Sequence, residues 1–245
     1  MLPNRALQLT SGVGRRATPA SLSRLQLNAG TLGGEGSVPL APDSERQLQI
    51  LYAGPGLSGR TTTLERVREQ LARTREVTLE KLSLGLADLK GQGRGGATLV
   101  EVRFSLPCVE PAAYRTTATT VEVVLRAEVG NLYRKPFEEE FARSADGFVF
   151  VMDSQTLRRE ANLDCLEHHR TWISRAGRSL NTVACALQYN KRDLPDIDSI
   201  AVLDGELNPD GWPSFPTVAR NTVGILAPLD AVLAHHGLPA VERPA

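Results

Sequence analysis

From about residue 46 the chain alternates short apolar runs with longer stretches of mixed polarity. Leu48 to Ala53 is a short apolar run and reads as a strand. Thr61 to Arg75 carries apolar positions at helical spacing. Val121 to Leu125 is β-branched and apolar, and Gly147 to Met152 reads GFVFVM, a buried strand between polar flanks. Thr156 to Arg175 predicts a long helix, Thr182 to Tyr189 another buried strand, Pro216 to Val218 a short one, and Thr222 to His236 a closing helix. Strands alternating with helices predict mainly parallel strands joined by right-handed crossovers, an α/β sheet covered by helices. Ligands in such sheets sit beyond the carboxyl ends of the strands. No fixed-period repeat is present.

Residues 1–45 follow no such pattern. The first aromatic residue is Tyr52, and no acid precedes Glu35, whereas Arg5, Arg15, Arg16 and Arg24 are all basic. A Gly/Pro-rich stretch then runs from Gly30 to Pro42. Such a segment buries too little apolar surface to offset its ordering entropy, which predicts a disordered N-terminal extension. Its basic, acid-poor composition also fits a transit peptide, but it lacks the apolar core of a secretory signal. The expected organisation is an extension over 1–45, a domain over 46–238 and a tail over 239–245.

Composition narrows the partners. The net charge is zero, with 28 basic and 28 acidic residues, so no global field points to nucleic acid or to an anionic membrane. No apolar run is long enough to span a bilayer. Cys108, Cys165 and Cys185 are far apart and form no metal-ligand spacing, which reads as inert thiols in a reducing, cytoplasmic setting. His168–His169 and His235–His236 lack partners one helical turn away and read as solvated.

Two motifs carry chemistry. Gly54-Pro55-Gly56-Leu57-Ser58-Gly59-Arg60-Thr61 matches the P-loop pattern GxxxxGK[ST] except at Arg60, and it sits between an apolar strand and a helix. Glycines there let successive N–H groups curl around phosphate oxygens, and the helix N-terminus adds its positive end. Gly54, Gly56, Leu57, Ser58, Gly59, Arg60, Thr61 and Thr62 are the expected phosphate-binding residues. Thr61 would give its hydroxyl to Mg²⁺. Arg60 keeps the lysine's charge but is longer and planar, so weaker binding and poorer transition-state stabilisation are expected. A bare Gly-Pro turn between strand and helix is the alternative reading.

The second motif, Asn190-Lys191-Arg192-Asp193, follows the buried strand that ends in Tyr189. It matches NKxD. The Asp193 carboxylate can accept from N1–H and the exocyclic amino group of guanine, a donor pair that adenine lacks. Leaving that carboxylate unpaired is costly, and selectivity follows. Asn190 can bond the major-groove edge of the base, and the Lys191 stem can lie over it. GTP or GDP with Mg²⁺ is therefore the expected ligand, in preference to the adenine nucleotide of a P-loop kinase or ATPase.

With both motifs placed, the chain resembles the bacterial Ras-like small GTPases of the MglA type, known for setting cell polarity and gliding-motility direction. The stretches that carry the likeness are YAGPGLSGRTT, DGFVFVMDSQ with the following REAN, LQYNKRDLP and VARNTVGILAPLDAV. It spans about residues 47 to 235 and is faint between 75 and 135. The resemblance implies a P-loop NTPase sheet and a cytoplasmic switch that works with GTPase-activating or effector proteins. It places Ala219 in the base-contacting loop after the last strand and Asp153 at a strand terminus. It places Thr98 as the first-switch threonine on Mg²⁺, Ala97 where the family carries a cis-acting arginine, and Gly130 with Asn131 at the second-switch glycine and catalytic glutamine. Ala127 falls at the DxxG aspartate, where the family also departs. Read as residues, Thr98, Gly130 and Asn131 are equally ordinary loop positions, and Arg94 in the Gly-rich run 91–96 is either a solvated side chain or a substitute finger. Changes at Arg60, Ala97 and Asn131 together imply slow or absent hydrolysis. The competing reading is a degenerate GTPase that serves as a protein-interaction scaffold.

Overall fold

The computed structural model describes residues 47–85, 96–107, 120–129 and 141–241. The extension over 1–45, Cys108, Arg94, Gly130 and Asn131 lie outside the described residues.

Among the described residues seven strands form one sheet: β1 (Gln47–Ala53), β2 (Thr78–Gly85), β3 (Gly96–Pro107), β4 (Thr120–Val129), β5 (Gly147–Asp153), β6 (Ala184–Asn190) and β7 (Ser214–Pro216). Their order is β2-β3-β4-β1-β5-β6-β7. β4, β1, β5, β6 and β7 run parallel, and the β2–β3 and β3–β4 pairs are antiparallel. Among the described residues the helices include α1 (Arg60–Leu71), α2 (Arg159–Arg175), α3 (Ile200–Leu207) and α4 (Ala227–His235).

Strand alternation builds two cores. Leu48, Ile50 and Tyr52 of β1 face α1 and α4, meeting Leu64, Val67, Leu229 and Leu233. Leu51 and Ala53 face the other way, with Phe148 and Phe150 of β5, Leu166 and Trp172 of α2 and Leu203 of α3. β5 and β6 are buried along their whole length, as central strands covered on both faces must be. Toward the β3 side, the second face turns polar. Glu101, 2% exposed, accepts from Arg126 Nε at 2.6 Å and Arg103 Nε at 2.5 Å, and Arg126 also donates to Gln49 Oε1 at 2.7 Å. A buried carboxylate is tolerated because two guanidinium groups satisfy it.

Several boundaries differ from those expected. α1 ends at Leu71, where Arg73, Thr74 and Arg75 close a tight turn. Residues 156–158 form a 3-10 turn before α2. The closing helix starts at Ala227 because Thr222 and Gly224 have φ of 60° and 71°, which no α-helix accommodates. β7 ends at Pro216, although Thr217 N still donates to Tyr189 O at 2.8 Å. The β2–β3 hairpin and α3 were not foreseen. Val241 is buried on the domain, its N–H donating to Asp230 Oδ1 at 2.8 Å. Among the described residues no helix is long and apolar enough to cross a membrane. Cys165 and Cys185 are buried thiols, and burial pushes the Cys185 thiol up to about 12.

The expectation that His169 is solvated is wrong. Its ring is 6% exposed, packed against Phe150 and Trp172, with Nδ1 donating to Cys165 O at 2.6 Å. Cys165, His169, Trp172 and Ile173 share the buried face of α2, and adjacency to His168 hid that spacing. Burial pulls the His169 pKa down to about 4. The folded protein then keeps the ring neutral while the unfolded chain protonates it below about 6.5. Stability is full above pH 6.5 and falls as pH drops toward 4, by at most about 1.4 kcal/mol per pH unit. Thermal unfolding across that window checks this: His169→Phe should flatten the dependence, and an equal slope in the variant would assign it to other groups.

Candidate functional site

The P-loop begins where β1 ends. Gly54, with φ 151°, passes so close to β5 that a Cβ would overlap the Val151 carbonyl. Leu57 takes φ 67° and Gly59 φ 104°, so the backbone curls before α1 starts at Arg60. A leucine in that left-handed region carries local strain, and its side chain is 87% exposed. Helix α1 opens with no side-chain cap and no acid in its first turn. Ser58 Oγ is buried without a hydrogen-bond partner among the described residues. Uncapped N–H groups and an orphaned hydroxyl in one cradle fit phosphate oxygens.

The NKRD loop is fixed to this cradle by one side chain. Asn190, 2% exposed at the end of β6, donates from Nδ2 to Ser58 O at 2.8 Å. Its Oδ1 accepts from Ala219 N at 2.9 Å and from Thr217 Oγ1 at 3.3 Å. Asn190 thus ties together P-loop, NKRD loop and the turn after β7. This structural duty of the amide was not disclosed by the sequence, which pointed only to a contact with the base. Further along α1, Gln188 Nε2 donates to Thr63 Oγ1 at 2.9 Å, adding a second link between β6 and the helix that opens at the P-loop.

Lys191 has φ 66°, and its Nζ lies 2.6 Å from Asp153 Oδ2. Asp153 is more than a strand terminus: it is 1% exposed and holds that ammonium at the mouth of the site. Arg158, in the following 3-10 turn, donates from Nη2 to Gly56 O at 2.7 Å and pins the crest of the P-loop. Arg192, the variable residue of NKRD, donates to Asp198 O at 2.6 Å, and Asp198 takes Arg159 through Oδ1 at 2.7 Å and Oδ2 at 3.1 Å. That guanidinium holds the Asp198 carboxyl below its usual range. None of Arg158, Arg159 and Asp198 was expected to support the site, because none belongs to either motif.

Between the loops lies a cavity of about 270 Å³, whose walls include Leu57, Thr62, Lys191, Asp193, Ala219 and Arg220. Asp193 and Ala219 therefore meet at one cavity. Asp193 Oδ2 lies 2.6 Å from Arg220 Nη2, a partner not anticipated although it directly follows Ala219. Arg60 and Thr61 are half-buried in the first turn of α1. Thr98 and Ala97 lie in β3, their backbones paired with Ser83 and Leu84. Ala127 is fully buried in β4 opposite Tyr52. No cluster of three His, Cys, Asp or Glu side chains able to hold a metal occurs among the described residues. A Mg²⁺ ion fits here only as Mg²⁺ commonly binds, through a protein hydroxyl, phosphate oxygens and water.

A P-loop after β1, clamped by Asn190 to an NKxD loop after β6 on a mostly parallel helix-covered sheet, defines a nucleotide-binding domain of the small-GTPase class. The chain is 31% identical over 188 residues to the Mutual gliding-motility protein MglA of Myxococcus xanthus (strain DK1622), a match covering 77% of this chain and 89% of that protein. It belongs to the MglA family of bacterial Ras-like small GTPases. No family model matches the chain.

Proposed function

We propose that the protein binds GDP and GTP at the cavity between the P-loop and the NKRD loop and acts in the cytoplasm as a polarity or motility switch with slow hydrolysis. The observation that carries this reading is the Asn190 clamp, which brings Ser58 and Ala219 to one side chain and so presents phosphate cradle and base reader together. Gly54, Gly56, Leu57, Ser58, Gly59, Arg60 and Thr62 would surround the phosphates. Asp193 would accept from the guanine edge, with the Lys191 stem over the base, Asn190 at its major-groove edge and Ala219 in contact with it. Mg²⁺ would neutralise charge on the β- and γ-phosphates, held by Thr61 and by Thr98 near the start of β3. Asn131 in the water-positioning role is one methylene shorter than glutamine, Ala97 brings no charge, and Arg60 is a poorer fit than lysine. Phosphoryl transfer depends on positioning and charge stabilisation, so slow turnover follows. The switch role would be exercised on protein partners such as an activating or effector protein.

Equilibrium titration with labelled GDP and ADP, followed by single-turnover GTP hydrolysis, tests this. Binding of GDP but not ADP, with turnover slower than in relatives that keep the arginine and glutamine, is the expected result. Equal affinity for both nucleotides would sink the guanine reading. Fast hydrolysis would show that other residues do the work assigned to Ala97 and Asn131. Nucleotide binding with no hydrolysis at all would favour the scaffold reading.

A further inference from the structure

We infer that Arg220 is an internal competitor for the guanine-reading carboxylate, and that its release from Asp193 is a step in nucleotide capture. The inference rests on the role proposed above for Asp193. Arg220 Nη2 lies 2.6 Å from Asp193 Oδ2, and both residues wall the same cavity. The chemistry of the two ligands is matched. The edge of guanine that a carboxylate reads, N1–H and the amino group on C2, is itself a guanidine fragment. An arginine head presents the same adjacent N–H donors from a planar CN₃ group, with a full positive charge added. A carboxylate oxygen placed to receive the base edge is therefore also placed to receive Arg220, and the two cannot use the same lone pairs at once.

The geometry makes exchange a side-chain event. Arg220 projects from the 3-10 turn Ala219–Asn221. The backbone of that turn is held by Thr222 N on Ala219 O at 3.1 Å and by a two-way bridge between Val218 and Val223. Ala219 N is held by Asn190. The Arg220 side chain is 65% exposed, against 18% for Asp193. The guanidinium can rotate into solvent without moving the loop, whereas the carboxylate stays at the cavity wall. Exposed ion pairs are weak and screened by salt, so the competition amounts to about two- to fivefold in GDP affinity at low ionic strength.

General electrostatics predicts the opposite sign. A cation beside an anionic ligand should help binding, and removing it should hurt. The test is labelled-GDP association and equilibrium binding for the full chain, Arg220→Gln and Asp193→Asn, at about 0.05 M and about 0.5 M salt. Arg220→Gln is expected to bind GDP about two- to fivefold more tightly at low salt, mainly through faster association, with the difference disappearing at high salt. Weaker or unchanged GDP binding by Arg220→Gln, while Asp193→Asn still loses guanine preference, overturns the inference and leaves the reading of Asp193 intact. If Asp193→Asn keeps its guanine preference, the reading of Asp193 fails and the inference falls with it.

Discussion

Asp193→Asn is expected to lower GDP affinity by about a hundredfold or more and to redirect the site toward xanthosine diphosphate. The carboxylate offers only acceptors, and the guanine edge offers two donors to it. Hydrogen bonds to a charged group contribute about 1.5–3 kcal/mol each. An asparagine amide keeps one acceptor and sets an N–H donor against the amino group of guanine. At about 1.4 kcal/mol per tenfold, loss of one charge-assisted bond, weakening of the other to a neutral one and the opposed donors together correspond to about 10² or more in Kd. Xanthine carries a carbonyl where guanine carries the amino group, so the amide donor finds an acceptor and the N1–H still finds an oxygen. The fold should be nearly indifferent, because the pair lost is with Arg220, whose side chain is 65% exposed. Titration of GDP, ADP and xanthosine diphosphate, with thermal unfolding as control, decides the matter. Retained preference for GDP would remove Asp193 from the base site.

Gly59→Ala should damage both the fold and the site. Gly59 has φ 104°, which an L side chain rarely adopts, and a Cβ there would overlap Asn190 Nδ2. Backbone strain of that kind costs about 1–3 kcal/mol. Pushing Asn190 away also breaks its bond to Ser58 O and disturbs the one from Ala219 N. The sum is about 3–5 kcal/mol of stability, and phosphate cradle and base reader lose their common anchor. Gly177→Ala is the matched control: φ is also positive, at 75°, but nothing lies within 4 Å of a Cβ. Denaturant unfolding and GDP titration of both variants separate strain from collision. If Gly59→Ala binds GDP normally, the clamp is dispensable.

Much of this arrangement was legible in the chain. The runs GFVFVM and ACALQYN are apolar because β5 and β6 are covered on both faces. The P-loop and NKRD stood out because few residue types meet their chemistry. The β2–β3 hairpin carried a signal that was overlooked: in β3, Val100, Val102 and Phe104 alternate with Glu101 and Arg103, the period-two pattern of a half-buried strand. It also falls where the family likeness is faint. Helix α3 escaped because it is short and buries only Leu203 and Leu207. The residues that brace the site were illegible for a different reason. Arg158, Arg159 and Asp198 act through contacts between loops far apart in sequence, such as the 102 residues that separate Arg158 from Gly56. Arg220 had a signal in its position next to Ala219, but no pattern marks a side chain that pairs with a reader rather than with the ligand.

The Asn190 clamp also bears on when this protein becomes a receptor during its synthesis. The bond to Ser58 spans 132 residues of chain, and the bond from Ala219 adds 29 more on the far side. Contacts of such separation form late, after the intervening loop has been closed. A growing chain that has displayed the P-loop but not yet Ala219 owns a phosphate cradle with an unbraced reader. If nucleotide binds as proposed, it is expected to reinforce the fold only once β6 and β7 have joined the sheet. Ligand-dependent protection from proteolysis should accordingly appear all at once, when the last third of the domain has been added.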